Sequence, residues 1–167
     1  MILRLPYGRD AVTADLRGLR CRVLQPSAPH GVPDIAALAG RALDVPVEAA
    51  PLAELARGRR RVVVLVPDAT RKAFLPAVLP ALLARLDRAG VAAEAITVLV
   101  ATGTHPPAPP DALAALRGPL PAGVVVRQHD ARDDGLLVAV GTLATGLAVR
   151  LHRAAVEADL LLSISTM

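Results

Sequence analysis

Val62–Arg71, VVVLVPDATR, is the stretch whose reading decides the fold. Five apolar residues run without interruption and end in Pro67-Asp68-Ala69-Thr70-Arg71. A short β-branched run bounded by a turn signal reads as a fully buried strand. Burial on both faces is the mark of a parallel strand, since a half-exposed strand would alternate apolar and polar residues. Ile96–Thr102, ITVLVAT, repeats the plan and ends in Gly103-Thr104-His105-Pro106. Between the two lies a helical pattern, Phe74–Arg88, with Phe74, Val78, Leu82 and Leu86 on one stripe and Leu75 and Leu79 beside it. Strand, helix, strand makes a right-handed crossover, which brings both carboxyl ends to one edge of the sheet. Ligands bind at that edge in open α/β sheets. The expectation is therefore an α/β fold, a parallel-rich, mixed, Rossmann-like sheet flanked by helices, with Val62–Val66, Ile96–Val100 and Leu160–Ile164 as interior strands.

Other elements follow from turn and periodicity signals. Met1–Leu5 and Gly18–Leu24 read as short strands paired around the turn-rich Pro6–Asp10. Gln25–Pro33 is a Pro/Ser/His/Gly loop, and Asp34 is placed to cap a helix running through Asp44, with Ile35, Leu38, Ala39 and Ala42 on its apolar face. Pro51–Ala56 is a short helix stopped by Gly58. Pro76 suits the first turn of the long helix, whereas Pro80 costs a hydrogen bond and implies a late start or a kink. A stiff proline-rich connector, 106–110, leads into a helix over Asp111–Leu116. Val124–Arg127 is a third strand, followed by a polar loop, Gln128–Asp134. Leu136–Val140 and Ala148–Leu151 form a hairpin-like pair, and Ala154–Ala158 is a helical turn.

Composition narrows the function classes. With 167 residues and 53% apolar content, the chain has ample material for one core, read as a single α/β domain over residues 1–167. Tyr7 and Phe74 are the only aromatic residues, so the core is aliphatic, and no stacking platform for single-stranded nucleic acid exists. The net charge of +4 is modest, and the run Arg57–Arg61 reads as a solvated turn, with a phosphate or nucleic-acid patch as the alternative. Cys21 is alone, which suits a reducing cytoplasm. MILRLPYGRD lacks the apolar region of a signal peptide, and no apolar run approaches the roughly 18 residues of a membrane span. The last apolar strand meets the end of the chain at Met167, which reads as a fragment cut at a domain edge, because a loop carrying function normally follows such a strand.

The chemistry-bearing residues gather after the first two strands: Asp68, Thr70 and Arg71 on one, Thr102, Gly103 and His105 on the other. Histidine titrates near neutrality and suits general acid/base work. Arginine offers a planar fork to a carboxylate. Taken alone, His105 on its Gly/Pro loop also reads as an ordinary surface histidine, and Arg71 as the ion-pair partner of Asp68 across a helix start. His129 beside Asp130 reads as loop structure, and His30 and His152 as incidental. Thr102-Gly103-Thr104 is a weak candidate for a phosphate-binding turn, and no G-x-G-x-x-G follows any strand.

Asp68-x-Thr70-Arg71, Ala101-Thr102-Gly103-Thr104-His105, His129-Asp130 and Glu157-Ala158-Asp159-Leu160 occur in one order, with Leu5-Pro6-Tyr7-Gly8 and Leu52–Gly58 ahead of them. This ordered set resembles the N-terminal domain of the nickel-dependent lactate racemase family, whose members racemise or epimerise 2-hydroxy acids. The resemblance implies a two-domain α/β enzyme with its site between the domains. It implies a nickel pincer nucleotide as cofactor, reversible hydride transfer through a keto acid, and two histidines serving the hydroxyl from opposite sides. By resemblance His105 is one of these, Arg71 holds the substrate carboxylate, and Asp68, Thr70, Thr102 and Gly103 lie in the substrate and cofactor pocket. The family's second acid/base His, its tethering Lys and its nickel-ligating His have no match here, so no metal ligand is expected in this chain. A C-terminal domain is then the implied partner, with a small 2-hydroxy acid as substrate. The chain departs from the family at Lys72 and Pro106. The competing reading is a non-catalytic, truncated domain that binds a small molecule or nucleotide.

Overall fold

The computed structural model describes residues 1–24, 31–71 and 73–165, so the expected loop at Gln25–Pro33 falls largely outside the described residues, as does Lys72. The chain divides into two compact units, Met1–Gly31 and Val32–Met167.

The first unit holds an antiparallel hairpin, β1 (Ile2–Tyr7) with β2 (Asp10–Asp15). The expected partner, Gly18–Leu24, is not a strand. The reason is local. Tyr7 pairs with Asp10, which leaves a two-residue loop with Gly8 at φ 62° in its first position. A glycine there is one of the favoured hairpin connections, so the chain turns back at once rather than after a long excursion.

In the second unit, four parallel strands form one sheet in the order β5-β4-β3-β8. They are β3 (Val62–Pro67), β4 (Ile96–Ala101), β5 (Val125–Gln128) and β8 (Leu160–Ser163). Val62 to Pro67 pair residue for residue with Ile96 to Ala101. Val62, Val64, Ile96 and Val98 are at most 3% exposed. They share one core with helices α2 (Leu52–Leu55) and α3 (Leu75–Arg88). Val63 and Leu99, which point to the opposite face, are buried too. Both faces are thus covered, as a continuous apolar parallel strand requires. Each fully buried Val or Leu contributes about 1.5–3 kcal/mol from apolar burial. The sheet and its flanking helices make the expected mixed α/β fold.

Leu160–Ile164 corrects the expectation of a third interior strand: β8 lies at one edge of this sheet, pairing only with β3 among the described residues. Its burial alternates along the strand, which is the pattern of a one-sided strand that an all-leucine run conceals. Asp159 sets its start. The carboxylate accepts hydrogen bonds from the backbone N–H groups of Arg60 (2.9 Å) and Arg61 (3.1 Å), tying the entry of β8 to the entry of β3. Those bonds hold the Asp159 carboxyl below its usual pKa.

Helix α1 (Ile35–Asp44) starts where expected, with the Asp34 side chain accepting from the N–H of Ala37 at 2.8 Å. Its inner face is Ile35, Ala39, Gly40 and Leu43, while Leu38 and Ala42 are exposed. A Cβ at Gly40 would lie 2.7 Å from Arg85 Nη2, so glycine lets that guanidinium lie against α1 unshifted and grip Asp44 at 2.7 and 2.6 Å. In α3, Leu79, Leu82, Leu83 and Leu86 are buried, and Phe74, expected on the apolar stripe, is 60% exposed at the N-cap. Pro80 sits inside α3 on its exposed side, where the lost N–H leaves the buried leucine face intact.

The remaining elements follow the expected order, with ends shifted by a residue or two. They are α4 (Pro110–Arg117), the antiparallel hairpin β6 (Leu137–Thr142) and β7 (Ala148–His152), and the one-turn helix α5 (Arg153–Val156). No helix among the described residues is long and apolar enough to cross a membrane.

Candidate functional site at the carboxyl edge of the sheet

β3 and β4 end in register, Pro67 opposite Ala101, and each is followed by a four-residue turn. In the first turn the Arg71 N–H bonds the Asp68 carbonyl at 3.1 Å; in the second the His105 N–H bonds the Thr102 carbonyl at 3.0 Å. Gly103, at φ 59°, supplies the left-handed residue that the second turn demands. The two turns therefore lie side by side. Together with Ser163, Ile164 and Ser165 at the end of β8 and just beyond it, they line an open cleft of about 620 Å³ at the carboxyl ends of the strands. That is the edge where the sequence pattern places a site.

Asp68 organises the cleft. Its Oδ1 accepts from the Thr70 N–H (2.9 Å) and the Thr70 hydroxyl (2.5 Å), an Asx-type turn that locks the carboxylate to its own loop. Its Oδ2 lies 2.6 Å from His105 Nδ1. The Thr70 hydroxyl, and after it His105, pull the Asp68 carboxyl down to a pKa of about 2. The carboxylate is therefore ionised at neutral pH and can only accept. A neutral His105 must then carry its proton on Nδ1, which leaves Nε2 as a free base. The His105 side chain is half-exposed and Asp68 is only 10% exposed, so the carboxylate backs the ring from within.

Arg71 lines the cleft. It does not pair with Asp68 through its side chain, as one reading of the sequence had it: the carboxylate is engaged by Thr70 and His105, and only the Arg71 backbone N–H contacts Asp68. Thr70 acts on Asp68, and Gly103 shapes the turn. Thr102 is 3% exposed, with its hydroxyl committed to the His129 carbonyl at 2.5 Å. The basic run Arg57–Arg61 precedes β3 and is exposed at the opposite end of that strand from the cleft. A six-residue strand separates the two ends by about 20 Å, so the run is no part of this site.

One histidine behaves differently from its sequence reading. His152 is 6% exposed. Its Nδ1 accepts from the Ala154 N–H at 3.1 Å and caps α5. Its ring meets that of His129 edge-on, with centroids 5.9 Å apart. Burial, reinforced by His129 and Arg127, holds its pKa below the usual imidazole value. Its cap is local, two residues away, but nothing in the neighbouring sequence marks its burial. Asp159 had a signal in the Glu157–Leu160 motif, but its role, pinning β8 to β3, needs the paired strands. Among the described residues, no group of three or more His, Cys, Asp or Glu is placed to hold a metal ion.

The fold is thus a parallel α/β sheet with a carboxylate-backed histidine and an arginine at its carboxyl edge. Residues 7–167 match the family model "Lactate racemase N-terminal domain", and the chain belongs to that family. It is 32% identical over 164 residues to the lactate racemase of Lactiplantibacillus plantarum, a match covering 95% of this chain and 38% of that protein. It is 28% identical over 168 residues to the lactate racemase of Thermoanaerobacterium thermosaccharolyticum, covering 96% and 38% respectively. The lactate racemase apoprotein structure from the latter organism superposes with a TM-score of 0.77 at 26% identity, over 98% of this chain and 38% of that one. The chain thus spans well under half the length of the relatives it matches.

Proposed function

We propose that residues 1–167 are the N-terminal, pocket-forming domain of a 2-hydroxy-acid racemase or epimerase that works by reversible hydride transfer with histidine acid/base assistance. The observation that carries this reading is the Asp68–His105 pair beside Arg71 in one cleft. Arg71 receives the substrate carboxylate in its planar fork. This places the 2-hydroxyl toward His105, whose Nε2 takes the hydroxyl proton as the carbon is oxidised to the keto acid and returns it on reduction. Asp68 holds the Nδ1–H tautomer and stabilises the imidazolium that forms. A positioned general base of this kind is typically worth about 10²–10⁴-fold in rate.

The cofactor implied by the family is a nickel pincer nucleotide, which when bound supplies the hydride acceptor. The cleft offers it one polar wall, Arg71 and the exposed 103–105 turn. The tether and the nickel ligands are assigned, on the family resemblance, to a C-terminal domain. The match of one family model across both compact units supports treating 1–167 as one functional domain. The lone, exposed Cys21 favours a cytoplasmic setting.

The test is a chiral assay on lactate, malate and related 2-hydroxy acids, made on residues 1–167 and on a longer protein carrying this domain. Racemisation is expected only from the longer protein loaded with cofactor. Turnover by residues 1–167 alone would overturn the assignment.

A further inference from the structure

Three hydrogen bonds at the end of β4 do not fit a plain parallel ladder. The His129 N–H donates to the Val100 carbonyl at 2.9 Å, which is a regular rung between β5 and β4. In a parallel ladder the next rung would run from the Thr102 N–H to the His129 carbonyl. The Thr102 N–H instead turns back to the Val100 carbonyl at 3.1 Å, because the chain has begun the turn that carries His105. The Thr102 hydroxyl takes over the vacated position and donates to the His129 carbonyl at 2.5 Å. The Thr102 carbonyl closes the turn by accepting from the His105 N–H.

We propose that Thr102 is a positioning residue for His105: its buried hydroxyl replaces a missing backbone rung, anchoring the turn to β5 and so holding the imidazole against Asp68. A hydroxyl has one proton, and this one is spent on the His129 carbonyl, so it has none to donate to a ligand. Gly103, Thr104 and His105 are all exposed, so the turn has no other buried side chain to hold it. A loose turn would let the ring leave Asp68 and take either tautomer. The importance of His105 rests on the function proposed above, but the positioning does not, and the two are tested separately.

The experiment uses the chain of residues 1–167 with nitrogen-labelled histidine, which has only four such residues, in alkaline solution where the rings are neutral. Long-range proton–nitrogen correlations read the tautomer, and His105→Asn assigns its signal. Wild type is expected to show His105 protonated on Nδ1. Thr102→Val, of similar shape but without the hydroxyl, is expected to lose that preference, while Thr102→Ser restores it. Retention of the Nδ1–H tautomer in Thr102→Val, or its loss in Thr102→Ser, would overturn the proposal. Should the valine variant unfold, amide exchange in wild type decides instead: slow exchange at both His105 and His129 supports the anchored turn, and fast exchange at either refutes it. In the longer, active protein, Thr102→Val is expected to lower kcat by about 10–100-fold with KM little changed, as displaced catalytic groups do. If His105→Asn there leaves turnover intact, the acid/base role falls while the tautomer result stands.

Discussion

Helix α3 offers a sharp test of the packing, because its periodicity and its observed burial disagree about which residues hold the core. Leu86 is 0% exposed and Phe74 is 60% exposed. Leu86→Ala removes about three carbon groups at about 0.8 kcal/mol each, so about 2.4 kcal/mol from transfer alone. The hole left in the core that Leu86 shares with the β3 and β4 valines adds a cavity penalty, and Leu→Ala changes at buried sites span about 2–5 kcal/mol. An expectation of about 3 kcal/mol follows, which for a chain of this size lowers Tm by about 6–12 °C. Phe74→Ala removes a larger side chain but little buried area, and the Phe74 carbonyl that bonds the Ala77 and Val78 N–H groups is kept. Its cost should stay within about 0.5–1 kcal/mol. Urea unfolding followed by circular dichroism, with the slope m checked for constancy, measures both. Equal destabilisation by Phe74→Ala and Leu86→Ala would refute the orientation of α3 described here.

In a longer, active protein, His105→Ala is expected to abolish turnover and Arg71→Ala mainly to raise KM for 2-hydroxy acids; a chiral assay with full activity in His105→Ala would sink the roles assigned. For His152, the folded pKa lies below the ordinary value of about 6.5, so the unfolded chain binds the proton first. Its contribution is complete above that value and is lost as pH falls through about 6.5 toward the folded pKa; His152→Asn, which keeps a capping oxygen, should flatten this slope in denaturation midpoints measured across pH. Asp68 acts lower: with a folded pKa of about 2, its contribution is present above about 3.9 and is lost as pH falls from there through 2, so Asp68→Asn should blunt acid unfolding in that window only. Gly40→Ala should push Arg85 off Asp44, and a double-mutant cycle with Asp44→Ala would show the two changes to be non-additive.

Much of this molecule was legible in the chain. VVVLV and ITVLV carry no charged residue and no alternation that would mark an exposed face, so their burial, their parallel pairing and the helix between them follow from composition and length. The site edge followed as well, since both runs end in turn residues bearing Asp68, Arg71 and His105. The Asp34 cap needed only its local spacing.

What tertiary structure decided are the relations that spacing does not encode. Leu160–Ser163 opens on three leucines like a central strand, and its one pairing partner among the described residues makes it an edge. Phe74 keeps the helical stripe period yet falls outside the contact, because the helix begins where its stripe has not yet reached the sheet. Asp68 could have met Arg71, three residues on, but the parallel register brings His105, thirty-seven residues away, to 2.6 Å instead. Thr102 and His152 are marked by no periodicity at all. Thr102 replaces a ladder rung, a role that exists only once β4 and β5 lie side by side, whereas the His152 cap is local and only its burial needs the tertiary fold.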